Sequence, residues 1–357
     1  MISSLTIKGQ TYRLPVFCPD ATRGVVRNLD SQDLQAAGIH GLIVNTWHLH
    51  QFPGAKRLIE LGGIKKLMNY PELIISDSGG FQVFSLFQKV KNFGKITDEG
   101  LITYTGPKRL TKILFTPEDS IKMQFALGSD IMICLDDYTA PGSSPARVEE
   151  SVARTIAWAK RCRSEFDRQC QLHGYTNNNR PLLFGVIQGH DDQEQRQRCA
   201  QQLLKIGFDG FGLGGQKFTT EGKLDLDWAA FNASLTPDNL PRYALGFGKP
   251  DEIIALFHQG YQIFDCVLPT RDARHGRLYI SSKKENEVYQ FLNINQGRFA
   301  QDHQPLDPKC HCHTCTHTNR AYLHHLFKIG DGSFYRLATI HNAHFFAEIT
   351  NKLAENS

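Results

Sequence analysis

Carboxylates, amides and paired glycines recur at the ends of short apolar runs in this chain, and three cysteines crowd together near its C-terminus. The first set comprises Asn45, Asp77-Ser78-Gly79-Gly80, Asp136-Asp137, Gln188-Gly189, Gly214-Gly215, Leu245-Gly246 and Asp265. Carboxylates spaced this widely suit nucleophilic and acid–base chemistry, provided the fold brings them to one place. The glycine pair after Ser78 lets backbone approach a ligand closely. The second set is Cys310-His311-Cys312-His313-Thr314-Cys315. Thiolates this close favour tetrahedral Zn²⁺, with a remaining ligand from elsewhere. His317, His324, His325, His341 and His344 are all candidates on spacing. Four protein ligands would leave no position for water, so such a site is structural.

The elements that must position these groups are legible as alternating runs. Strands are expected at 15–21, 42–46, 73–76, 131–136, 182–188, 210–213, 242–246 and 263–268, with helices such as 145–170, 193–206 and 250–259 between them. Strands alternating with helices indicate a parallel sheet. Eight of them indicate a (β/α)8 TIM barrel, in which chemistry belongs at the C-terminal strand ends. A doubly wound open sheet is the rival, but no G-x-G-x-x-G run follows the first strand. The expected organisation is a catalytic barrel over residues 1–285, with an insertion near 87–115, followed by a zinc-binding subdomain and closing helix over 286–357. The insertion carries Lys89, Lys91, Lys95, Lys108, Arg109 and Lys112 against Asp98 and Glu99, and one strand-like run at 101–105.

Composition restricts the class. Hydrophobic residues make up 41% and charged residues 21%, which allows a sizeable core and excludes wholesale disorder. No run approaches the roughly 18 apolar residues needed to span a bilayer. The N-terminal residues show no secretory pattern, and the expected location is cytoplasmic. Nine cysteines, an odd number, argue against a disulfide framework. A formal charge of +4 is too small to imply a nucleic-acid partner by itself.

Four motifs carry a resemblance. Ser76-Asp77-Ser78-Gly79-Gly80-Phe81-Gln82-Val83, Gly185-Val186-Ile187-Gln188-Gly189, Gly246-Phe247-Gly248-Lys249-Pro250 and Phe264-Asp265-Cys266-Val267-Leu268-Pro269-Thr270-Arg271 resemble the tRNA-guanine transglycosylase family, in its bacterial form. The cysteine run followed by His341-Asn342 is similar to that family's zinc site. The resemblance implies replacement of a guanine in a tRNA anticodon loop by a 7-deazaguanine in the queuosine pathway. It implies that Asp265 is a covalent nucleophile and that Asp77 handles protons on the leaving and entering bases. Asp136 would accept from the guanine N1–H and amino group, and Gln188 and the Gly215 backbone would address the carbonyl edge. Phe81 would stack on the base, and Ser78, Gly79 and Leu245 complete the substrate-binding set. Arg271, Arg274 and Arg277 would hold neighbouring nucleotides, and Cys310, Cys312, Cys315 and His341 would hold Zn²⁺. A homodimer is implied through Leu49, Tyr322 and His325, although Thr318 stands where the family usually has a large aromatic.

Three departures bear on the inserted base. The run Gly215-Gln216-Lys217-Phe218-Thr219-Thr220 lacks the family's glutamate, although Glu221 follows, and Tyr138 and Asp137 replace a cysteine and a glutamate. Two inserted bases therefore stay open: the standard 7-aminomethyl-7-deazaguanine, and, through an altered preference, queuine or another salvaged 7-deazaguanine. Rival functions are a non-catalytic tRNA-binding subunit, a relative acting on DNA, and an unrelated barrel glycosidase. The pair Asp77 and Asp265 opposes the first, and the zinc run has no role in the last.

Overall fold

A computed structural model of the protein describes residues 2–90, 93–105, 111–285 and 287–355. Eight parallel strands form the centre: β1 (Val16–Pro19), β2 (Gly41–Asn45), β3 (Leu73–Asp77), β4 (Ile131–Ile133), β5 (Leu182–Ile187), β6 (Gly210–Leu213), β7 (Arg242–Ala244) and β8 (Ile263–Cys266). Their order is β1-β8-β7-β6-β5-β4-β3-β2. The ring is completed just beyond β1, where Asp20 bridges to Ile43 and the Ala21 N–H donates to the Ile43 carbonyl at 2.7 Å. The expected barrel is thus present.

Strand alternation divides the side chains into two sets. Val16, Ile43, Leu73, Ile75, Ile131, Ile133, Phe184, Val186, Tyr243 and Ile263 fill the barrel. Phe17, Leu42, Val44, Ile74, Ala244 and Phe264 face outward onto helices. A hairpin of Ser4–Ile7 and Gln10–Arg13, not anticipated from sequence, adds Ile7, Tyr12 and Leu14 to the interior cluster and closes the end opposite the acids. Buried Asp130 secures it, with Lys65 Nζ at 2.7 Å and Lys8 Nζ at 3.5 Å.

Several expected ends shift for identifiable reasons. Strand β4 ends at Ile133, whose backbone is taken by a side chain: its N–H donates to Gln124 Oε1 and its carbonyl accepts from Gln124 Nε2, both at 2.9 Å. Strand β8 ends at Cys266 because the helix Leu268–Arg274, with its early Pro269, starts at once. The insertion holds three antiparallel strands, Gly94–Thr97, Gly100–Thr105 and Thr111–Phe115, where one was expected. Lys95 and Lys112 are exposed there; Lys91, Lys108 and Arg109 lie outside the described residues, as does the side chain of Lys89.

After the barrel, a hairpin of Arg277–Ser281 and Tyr289–Asn293 crosses the expected boundary at residue 285. Among the described residues a 3-10 turn, Gly297–Phe299, and three α-helices follow, His313–His317, Arg320–Ile329 and Gly332–Glu355. The last packs on β1, with Phe346 4.9 Å from Phe17. Among the described residues no helix is long and apolar enough to cross a membrane.

Candidate active site and metal centre

The inward parity of the barrel core continues past its last apolar layer. Asp77 lies two residues beyond Ile75, Asp265 two beyond Ile263, Gln188 two beyond Val186 and Asn45 two beyond Ile43, so all four share the inward side. Parallel pairing then gathers them at one mouth.

Asp77 is surrounded by donors. Asn45 Nδ2 donates to its Oδ2 at 2.9 Å and the Gly79 N–H to its Oδ1 at 2.6 Å, while its backbone carbonyl accepts from the Thr46 hydroxyl. Burial outweighs these donors and, with help from nearby Asp265, pushes the carboxyl up to about 7. Gly79 adopts φ +87° over Trp47, and a Cβ on Gly80 would lie 3.1 Å from the Asp136 carbonyl oxygen. The turn after β3 therefore fits only residues without side chains.

Asp265 is held on one oxygen. The Tyr243 hydroxyl and the Gly246 N–H both donate to Oδ1 at 2.8 Å, and Oδ2 has no protein partner among the described residues. Burial raises this carboxyl to about 6, and Asp20 adds to the effect. A carboxyl of this kind is largely ionised at neutral pH, with one oxygen open to the mouth. Asp77 remains partly protonated there. Two acids held by different donors in one mouth can divide the nucleophilic and proton-transfer roles.

Asp136 and Gln188 form the adjoining wall, with Gln188 Nε2 donating to Asp136 Oδ2 at 2.6 Å. Burial again lifts Asp136, to about 6, and neighbouring Asp137 contributes. Asp137 itself does not join the mouth as the strand-end pattern suggested. It is fully buried beneath, between Arg147 Nη1 at 2.9 Å and Arg154 Nη1 at 2.6 Å. Ser78 is buried, and its hydroxyl accepts from the Gly80 N–H at 3.3 Å. Phe81 is 55% exposed and meets Tyr138 edge-on at 5.2 Å, so a ring face is available to a planar ligand. Leu245 is half-buried beside the barrel interior, and Gly215 turns with φ +83° next to Tyr138. Arg271 and Arg277 are exposed, the latter stacked 4.8 Å over Phe291; Arg274 is half-buried and its Nη1 has no partner among the described residues.

Sequence reasoning missed Tyr243, Asp20 and Arg196. Tyr243 had a usable signal, since it is two residues before Leu245 and beside the strand of Asp265. Arg196 had none: nothing separates it in sequence from the other arginines of its helix.

Around the cysteine run, one His is chosen from the open set. His341 Nδ1 lies 3.7, 3.6 and 3.3 Å from the sulfurs of Cys310, Cys312 and Cys315. A tetrahedral ion with metal–sulfur and metal–nitrogen bonds of about 2.3 and 2.0 Å has a sulfur–nitrogen edge of roughly 3.5 Å. The four ligand atoms fit such an ion. His341 Nε2 is 2.7 Å from the Tyr279 carbonyl, which fixes the proton there and leaves Nδ1 for a metal. Two alternatives are occupied or turned away, since His324 bonds the Ile294 carbonyl at 2.7 Å and His317 stacks on His313; His344 bonds the Ala37 carbonyl at 3.2 Å and also touches Cys310, but it is not one of the four mutually close ligands. His325 is exposed. The Cys3His cluster could therefore hold a metal ion, and its donor set is compatible with zinc.

Fold and site define a class: a (β/α)8 enzyme with its acids at the C-terminal strand ends and a Cys3His cluster in the segment that follows. Residues 2–356 match the family model described as queuine tRNA-ribosyltransferase. Similar curated relatives carry that same name. The protein from Helicobacter hepaticus is 37% identical over 99% of this chain and 89% of its own. Those from Solidesulfovibrio magneticus and Zymomonas mobilis are 38% and 35% identical, over 93% and 99% of this chain and 84% and 87% of theirs. The chain belongs to the queuine tRNA-ribosyltransferase family and is a pentosyltransferase.

Proposed function

We propose that this protein is a tRNA-guanine transglycosylase that exchanges an anticodon-loop guanine for a 7-deazaguanine through a covalent Asp265–ribose intermediate. The observation that carries the reading is the asymmetry of Asp265, tied through Oδ1 and open at Oδ2, with proton-bearing Asp77 in the same mouth. In the first displacement Oδ2 attacks the ribose C1′ and the bond to guanine N9 breaks, with Asp77 supplying the proton to the departing base. In the second, the incoming base gives its N9 proton to Asp77 and its nitrogen displaces Asp265. Two inversions give retention. Asp136 and Gln188 read the guanine edge, and a base with the wrong edge leaves them unpaired.

The target nucleotide must leave its stack to enter the mouth. Phe81 receives the base, Ser78, Gly79, Gly215 and Leu245 line its pocket, and Arg271, Arg274 and Arg277 hold adjacent phosphates. Zinc on Cys310, Cys312, Cys315 and His341 supplies a structural cross-link, which supports dividing the chain into a catalytic barrel and a zinc-binding subdomain. A homodimer would use the surface of exposed Tyr322 and His325; Leu49, expected beside them, is instead 1% exposed in the core.

The loop after β6 departs from the family's glutamate-bearing run. Lys217 Nζ pairs with Asp225 at 3.5 Å, and the Glu221 carboxylate is taken by the hydroxyls of Thr219 and Thr220 at 3.0 and 3.2 Å. Gln216 reaches across to the Gly246 carbonyl at 2.8 Å. Thr220 thus stands where the family has its glutamate and donates to Glu221 instead, which supports an altered 7-substituent preference, toward queuine or another salvaged 7-deazaguanine.

Incorporation of radiolabelled guanine into tRNA but not duplex DNA tests the activity; binding of tRNA without exchange would overturn it in favour of an accessory subunit. Competition among guanine, 7-aminomethyl-7-deazaguanine and queuine tests the base. A clear preference for the aminomethyl compound would defeat the altered preference and leave the exchange reading intact.

A further inference from the structure

Arg196, on the helix Gln193–Ile206, is 1% exposed and forms no ion pair among the described residues. A buried cation ordinarily sits beside a carboxylate. This one is given to neutral acceptors instead. Nε donates to the His190 carbonyl at 2.6 Å, Nη1 to the Ile187 carbonyl at 3.2 Å and Asn232 Oδ1 at 2.9 Å, and Nη2 to the Gly214 carbonyl at 2.6 Å. The guanidinium plane lies 4.5 Å over Trp228. Burial lowers its pKa to about 10, which still leaves it charged at neutral pH.

The backbone carbonyls it holds flank Gln188 and Gly215, the two residues read above as addressing the carbonyl edge of the base. The Gly214 carbonyl and the Gly215 N–H belong to one peptide unit, which is trans. In a trans unit the N–H points opposite to the C=O. With the oxygen drawn onto Arg196, the N–H faces the other way. That N–H has no acceptor among the described residues, whereas the neighbouring Gly214 N–H is bonded to the Ile187 carbonyl at 3.1 Å. A charged donor on the oxygen also polarises the amide and strengthens its N–H.

We propose that Arg196 is a positioning residue that aims and strengthens the Gly215 N–H as the donor to the six-oxo group of the bound base. The inference rests on the guanine-exchange reading. Its test is a ratio confined to one atom: inhibition constants for guanine and 6-thioguanine against radiolabelled guanine incorporation. The two bases share the N1–H and amino edge and differ in the acceptor that Gly215 would meet. In the wild type the sulfur base should bind about tenfold more weakly, the scale of one lost hydrogen bond. In Arg196→Met the ratio should fall to within about twofold, while Arg196→Lys, which can reach a single carbonyl, should fall between. Should the methionine variant fail to fold, the lysine variant carries the test. Equal weakening of both bases with the ratio unchanged would overturn the inference and leave a purely structural arginine. Absence of guanine exchange by the wild type would overturn the activity itself and the inference with it.

Discussion

Asp265 illustrates how a side chain that is costly to the fold can sit where the proposed reaction needs it. Its carboxyl is raised to about 6, above the unfolded value of about 3.9. The sign follows directly: its contribution to stability is full below about pH 4 and is lost as pH rises through 6. Asp265→Asn keeps an oxygen for the Tyr243 and Gly246 donors and removes the charge. It should abolish exchange, by at least about 10³-fold, because an amide is a poor nucleophile toward the anomeric carbon. It should also stabilise the protein at pH 8 by roughly 1–2 kcal/mol, less than the full shift because one edge faces solvent, with no gain near pH 4. Denaturation and exchange assays on this variant check both; a trapped enzyme–RNA adduct in it would sink the nucleophile assignment. Asp77, raised to about 7, sets the other limb. The profile of kcat/KM should be bell-shaped, falling below about pH 6 as Asp265 gains a proton and above about pH 7 as Asp77 loses one. A flat profile from pH 5 to 8 would remove the acid–base division.

At the scale of elements, the metal cluster joins a turn to the last helix, since Cys312 caps the helix His313–His317 while His341 lies within Gly332–Glu355. Cys312→Ser should lower zinc content and reduce Tm by about 5–10 °C, because metal binding is part of folding free energy in such segments. Unchanged zinc and Tm would count against the site. The elements also show what sequence can and cannot convey. The helix Gln193–Ile206 was legible to the residue because Asp192 caps one end and Gly207 the other. The carboxylates were legible because strand ends terminate in polar residues of the same parity as the core. The insertion was not: Gly94–Thr97 and Thr111–Phe115 mix lysine and threonine with apolar residues in runs too short to show alternation. The end of β4 was hidden because the partner of its last backbone groups is the side-chain amide of Gln124, on the preceding helix. Arg196 was invisible since its importance lies wholly in which carbonyls surround it.

At the scale of the molecule, Tyr322 is 49% exposed and Ile329 60% on one helix, a surface that association would cover. Sedimentation at micromolar concentration should give the mass of a dimer, and a monomer would refute that part of the proposal. A different consequence follows from the pairing of the first barrel strand with the last. All four residues of β1 are buried, against β8 on one side and beneath Phe346 on its outer face, and Arg13 Nη2 reaches the Ala354 carbonyl at 2.6 Å. During synthesis on the ribosome β1 emerges first and has neither of these neighbours until the final segments follow. The nascent chain therefore carries an unpaired apolar edge for most of its translation, the condition under which chaperones engage a strand. Ribosome-stalled chains that stop before Ile263 should be degraded by added protease along the barrel, and chains extended through Glu355 should be resistant. Early protection of the short chains would mean that the barrel assembles stepwise without its closing pair.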